Sequence, residues 1–86
     1  MDKVEKIVLG HVRKANKNRE IKKITGDCLL KEDLWIDSIS MVALFTNVSK
    51  ELNVDIMAFG DAELVNIRQV ADLTSLFSQK APLYGP

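Results

Sequence analysis

The run DSISMVALFTNVSKELN, residues 37–53, decides how the rest of the chain is read. Asp37 or Ser38 stands where a helix opens, and Ile39, Val42, Phe45, Val48 and Leu52 recur along one face. Asn53 closes the segment. The spacing predicts an amphipathic helix that turns this face, Ile39 included, towards a core.

Outward from that helix, the pattern stays helical in both directions. On the C-terminal side Asn53-Val54-Asp55-Ile56 has the look of a short strand, but nothing near it offers a partner strand. Residues 61–64 suit a short helix, and Ile67, Val70, Leu73 and Phe77 predict a final helix over 67–77. Pro82, Gly85 and Pro86 indicate a flexible C-terminal tail over 81–86. On the N-terminal side Asp2 and Glu5 have capping-box spacing, and Val4, Ile7, Val8, His11 and Val12 follow at helical intervals. Asn16-Lys17-Asn18 ends this first helix. Between Lys17 and Ile36 the periodicity fades; Thr25-Gly26-Asp27 suits a turn, and Ile21, Ile24, Leu29, Leu30 and Leu34 are placed to pin the segment to the core.

The expected fold is therefore all-α: a small four-helix bundle of three longer helices and one short one, with a long first loop. Residues 1–80 form one domain. So long a connection inside a small domain is unusual and commonly functional.

Composition limits what such a domain does. With 86 residues, 47% of them apolar, the chain builds one small core that does not surround a deep catalytic cleft. No apolar run reaches the roughly 20 residues that span a bilayer, so no membrane insertion is expected. The start of the chain carries charges of both signs where a signal peptide needs an apolar stretch. Cys28 is the single cysteine, which excludes an internal disulfide and suits a reducing, cytoplasmic setting. The net charge is zero, but residues 1–23 hold eight basic and three acidic residues while the remainder holds four and nine. Such a split suits two kinds of neighbour more than one nucleic acid, and no aromatic residues interleave with Arg13, Lys14, Lys17, Arg19, Lys22 and Lys23. These cations read first as a solvated helix end and loop, and second as a dock for an acidic partner surface.

Chemistry concentrates at Glu32-Asp33-Leu34-Trp35-Ile36-Asp37-Ser38-Ile39. A serine at a helix start has backbone N–H groups and the positive end of the helix dipole beside its hydroxyl, so a phosphodiester formed there is stabilised. Asp37 caps the helix and holds the serine's local conformation. On residues alone, Ser38 also reads as an ordinary N-cap.

At this point the chain resembles the acyl carrier protein family, whose signature is Asp-Ser-Leu after a glutamate-aspartate-leucine approach. Ile24-Thr25-Gly26-Asp27, Glu51-Leu52-Asn53-Val54-Asp55-Ile56, Asp61-Ala62-Glu63 and Ile67-Arg68-Gln69-Val70-Ala71-Asp72-Leu73 extend the likeness over about residues 4 to 78. The resemblance implies a carrier and not an enzyme. A phosphopantetheinyl transferase, using coenzyme A and magnesium, would attach 4′-phosphopantetheine to Ser38, with Asp37 part of the surface it reads. The arm's thiol would then hold acyl groups as thioesters for acyl-loading and acyl-processing enzymes, the carrier itself being a monomer. The usual glycine two residues before the aspartate is Trp35 here, and the leucine after the serine is Ile39. Ser40, Met41, Ala43, Ser49 and Lys50 stand where the family commonly has carboxylates, which favours polyketide or nonribosomal-type synthesis over primary fatty-acid synthesis.

The remaining candidates divide between packing and recognition. Trp35 is read first as a loop anchor on the core and second as part of a partner-recognition surface with Ile39 and Met41. Met41 is placed on the exposed side of its helix. His11 is read as half-buried packing, and Cys28 as a small apolar filler. One histidine and one cysteine make no metal site, and no orienting motif makes them a nucleophilic pair. The alternative to a carrier is an unmodified helical interaction module with the same fold.

Overall fold

Among the described residues four helices form in chain order: α1 (Lys3–Ala15), α2 (Ser38–Leu52), α3 (Asp61–Val65) and α4 (Val70–Lys80), with a 3-10 turn at Ile56–Ala58 before α3. The computed structural model describes residues 3–80. Among these there is no strand, and the helical bundle with one short member is the architecture expected. The Asp2 cap and the tail over 81–86 lie outside the described residues.

Helix α1 follows its pattern closely. Val4, Val8 and Val12 are four residues apart, so they stack on one face, and each is buried. Arg13 and Lys14 fall in its last turn, where cations complement the helix dipole. The helix packs against both α2 and α4. Across the first of these contacts His11 Nε2 meets Glu51 Oε1 at 2.6 Å, so the half-buried His11 ties α1 to α2 besides packing.

Helix α2 corrects the expected face. Phe45, Val48 and Leu52 are buried as predicted, but their buried partners are Leu44 and Ser49, while Ile39 and Val42 are 83% and 64% exposed. The reason is helical geometry: three residues turn the helix by about 300°, so a stripe drawn through Ile39, Val42 and Phe45 slips about 60° at each step. The true inward line continues from Leu52 through Phe45 and Leu44 to the half-buried Met41, which packs on the core and not in solvent. Ser49 lies inward too, and its hydroxyl has no hydrogen-bond partner among the described residues. At the far end Asn53 adopts the left-handed conformation (φ 58°), and Val54 N–H donates to the Ser49 carbonyl at 2.9 Å. This closes the helix and leaves Asn53-Val54-Asp55 outside any strand.

The centre is aromatic. Phe45 of α2, Phe59 before α3 and Phe77 of α4 have ring centroids 5.1–5.8 Å apart, with two of the three pairs edge-to-face. Aromatic quadrupoles favour such arrangements over parallel sandwiches.

Helix α4 starts three residues later than its pattern suggests, because the long loop takes the preceding backbone. Leu30 N–H donates to the Arg68 carbonyl at 2.9 Å and Val70 N–H to the Cys28 carbonyl at 3.0 Å, with Leu29 and Gln69 in an isolated antiparallel bridge. Asp72 then reaches back one turn, its Oδ2 accepting from the N–H groups of Arg68 and Gln69, each at 3.0 Å. Gly26 lies where the loop crosses α4: a Cβ there would sit 3.3 Å from the Ala71 side chain, so the bare backbone suits the approach.

The rest of the loop is fixed by both kinds of contact. Leu30, Leu34 and Ile36 are buried, and Ile21, Ile24 and Cys28 pack against the core from partly buried positions. Lys17 N–H donates to the Leu34 carbonyl (3.0 Å), and the buried Asn18 amide donates to the Asp33 carbonyl (2.7 Å). The connection is long but held, and its last residues deliver Asp37 to the mouth of α2.

Candidate functional site

The loop's final turn is built from alternation. Leu34 and Ile36 both go inward, at 0% and 1% exposure, and Trp35 between them faces out at 54%. To bury both flanks and still enter α2 at the next residue, the backbone turns at Trp35 through φ 55°. A bulky residue is an outlier in that region, which costs an L-residue about 1–2 kcal/mol. The reading of Trp35 as an anchor packed on the core is therefore overturned: its neighbours anchor the loop, and the indole is displayed.

Asp37 is the N-cap. Its Oδ1 accepts from the Ser40 backbone N–H at 2.8 Å, and its Oδ2 accepts from the Lys17 ammonium at 3.2 Å. The Ser40 backbone N–H foremost, then the Ser40 hydroxyl and Lys17, hold the Asp37 carboxyl down to about 2 from 3.8. A depressed acid stabilises the folded state above its unfolded value and ceases to do so as pH falls through its folded value. Asp37→Asn keeps a cap but not the charge, so it should melt below the parent at neutral pH. The gap should close between about pH 4 and pH 2. Thermal melts across that range test it, and a gap that persists at pH 2 would show the charge to be irrelevant.

Ser38 is the first residue of α2 and is exposed. Among the described residues none holds its hydroxyl in a hydrogen bond. Beside it opens a groove of about 750 Å³, walled on the loop side by Leu30 and Ile36, on the α2 side by Met41 and Val42, and on the α3 side by Leu64 and Val65. The walls are mostly apolar, with Lys31, Glu32 and Arg68 at the loop edge.

The other candidates fall elsewhere. Ile39 stands in solvent next to Ser38, contrary to its expected inward place, and Met41 forms part of the groove wall. Cys28 receives the Thr25 N–H at 3.5 Å while His11 bonds to Glu51, so each is engaged separately. Among the described residues no three His, Cys, Asp or Glu side chains gather as metal ligands, and no helix is long and apolar enough to cross a membrane. Sequence reasoning missed Lys17 as the partner of Asp37, since twenty residues separate them and no local pattern links them. It also missed Val65, whose short helix has too few turns to show a face.

No family model matches the chain. An acyl carrier protein of Rickettsia bellii strain RML369-C is 32% identical over 79 residues, covering 92% of this chain and 87% of that protein. An acyl carrier protein from strain OSU 85-389 of the same species is 30% identical over 79 residues, covering 92% and 93%.

Proposed function

Because the chain belongs to the acyl carrier protein family, we propose that Ser38 is its attachment point for 4′-phosphopantetheine and that the protein shuttles acyl thioesters without catalysing their conversion. The observation that carries this reading is the exposed, unengaged Ser38 hydroxyl at the first residue of α2, capped by Asp37. The residues fit the group. A phosphodiester on Ser38 would lie against the positive end of α2, with the Lys17 ammonium close by on Asp37. The arm supplies a terminal thiol that carries acyl groups as thioesters. The protein's own part is to keep the serine in solvent, fix its backbone and present one apolar groove beside it. A phosphopantetheinyl transferase working from coenzyme A and magnesium, and then acyl-loading and acyl-processing enzymes, are the partners. The cytoplasm is the proposed compartment and the monomer the proposed form.

The pathway reading follows from α2. Residues 38–49 contain no carboxylate, so enzymes that dock on an acidic helix find little to hold, and polyketide or nonribosomal-type synthesis fits better than primary fatty-acid synthesis. Ser49 plays no part in that surface, being buried.

Incubation with coenzyme A, magnesium and a broad-specificity transferase should add one phosphopantetheine mass to the parent and none to Ser38→Ala. Intact-mass spectrometry reads the result directly. A parent that gains no mass would favour the unmodified interaction module, and an alanine variant that still gains mass would move the site elsewhere.

A further inference from the structure

We infer that Trp35, Ile39, Val42 and Val65 form an electrically neutral, apolar docking face around Ser38, and that its occupant is the phosphopantetheinyl transferase, meeting it through an apolar surface and not a basic one. The inference rests on the reading of Ser38 as the modified residue.

Exposure is the first observation. Ile39, Val65, Val42 and Trp35 are 83%, 77%, 64% and 54% exposed, and the chain's described core has no use for them. Val42 and Val65 line the same groove as Ser38, Ile39 follows the serine directly, and Trp35 precedes it by three residues in the turn that leads into α2. Apolar side chains scattered singly are ordinary on a surface; four around one hydroxyl are a patch.

Charge is the second. Residues 38–49 have no ionisable side chain, in a chain whose residues are 28% charged. The next charges on α2, Lys50 and Glu51, lie about 18 Å along the axis from Ser38 at the helical rise. That is roughly twice the screening length at physiological ionic strength. Asp37, the nearest carboxylate, is already matched by Lys17, and the groove's loop edge has both signs in Lys31, Glu32 and Arg68. A partner with a basic patch therefore finds no net field at this end of α2. A partner with apolar side chains finds area to bury.

Trp35 is the third. Its backbone is strained so that Leu34 and Ile36 can be buried, yet a small residue would serve that turn as well, and the indole itself gains little burial in the free protein. Strain of this kind concentrates at functional sites, and tryptophan is among the residues most enriched at interface hot spots. Geometry commits the occupant. A standard interface covers about 800 Å² of each partner, so an enzyme that reaches the Ser38 hydroxyl also covers its immediate neighbours.

The test uses the full chain, coenzyme A and a purified broad-specificity phosphopantetheinyl transferase, with kcat/KM read by intact mass. Trp35→Gly and Val42→Glu should each lower kcat/KM by about tenfold or more, while Trp35→Phe stays within about threefold of the parent. Trp35→Gly should melt no lower than the parent, because glycine accepts the left-handed backbone. If it melts lower, Val42→Glu at its exposed helical position still decides the matter. The parent's kcat/KM should change less than about twofold as salt is raised past the point where exposed charges are screened. Variants modified as fast as the parent, or a steep fall with salt, would overturn the docking face and leave Ser38 as the site. A parent that is never modified would overturn the Ser38 reading and this face with it.

Discussion

Replacing Phe77 with alanine should lower the free energy of unfolding by about 3–5 kcal/mol, the largest loss expected from any single truncation in this bundle. Phe77 is fully buried and stands 5.7 Å from Phe45 and 5.1 Å from Phe59, centroid to centroid. Its removal opens a cavity where α2, α4 and the segment before α3 meet, and it deletes two of the three ring contacts. A domain of this size commonly has a total stability of about 5–15 kcal/mol, so the variant would be marginal. Urea titration followed by circular dichroism gives the measurement. The midpoint should fall with little change in slope, because the surface exposed on unfolding is nearly unaltered. A loss below about 1 kcal/mol would mean that the aromatic cluster is not the centre of the fold.

The second large effect lies in the loop, and it separates neighbours. Leu34→Ala should cost about 2–5 kcal/mol, since its side chain is fully buried. Trp35→Ala, one residue on, should cost less than about 1 kcal/mol, because the ring is mostly in solvent and alanine inherits the same backbone. The same urea titrations read both. Equal losses at the two positions would restore the indole as an anchor and remove the case for its display.

That contrast shows where a sequence can be read and where it cannot. Val4, Val8 and Val12 announce a helix face because four-residue steps nearly complete a turn, and the buried valines follow. Ile39 and Val42 mislead because apolar character alone does not say which side of α2 has a neighbour. The helix begins beyond the edge of the core, and its first turns are apolar on the outside as well. Trp35 misleads for a related reason: large aromatic residues are usually inside, and nothing local reveals that both flanking residues claim the interior first. Ser38 and Asp37 were legible, since a cap and a first-turn serine are local features and the structure puts both there. The Lys17–Asp37 pair and the late start of α4 were not, because each depends on contacts between segments distant in the chain.

The backbone pairing of residues 28–30 with 68–70 also bears on when the chain becomes competent. Leu29 and Gln69 are about 40 residues apart, and closing a flexible segment of that length costs roughly 3 kcal/mol in chain entropy. That cost is met only once the last helix has formed and docked. The pairing that fixes the loop before Ser38 is therefore expected to form late in folding, once residues 68–70 are in place. A nascent chain stalled before Gln69 would lack this pairing and should hold Ser38 in a less settled backbone. Slow amide hydrogen exchange should accordingly be shared by Leu30 and Val70, two amides 40 residues apart that open as one unit.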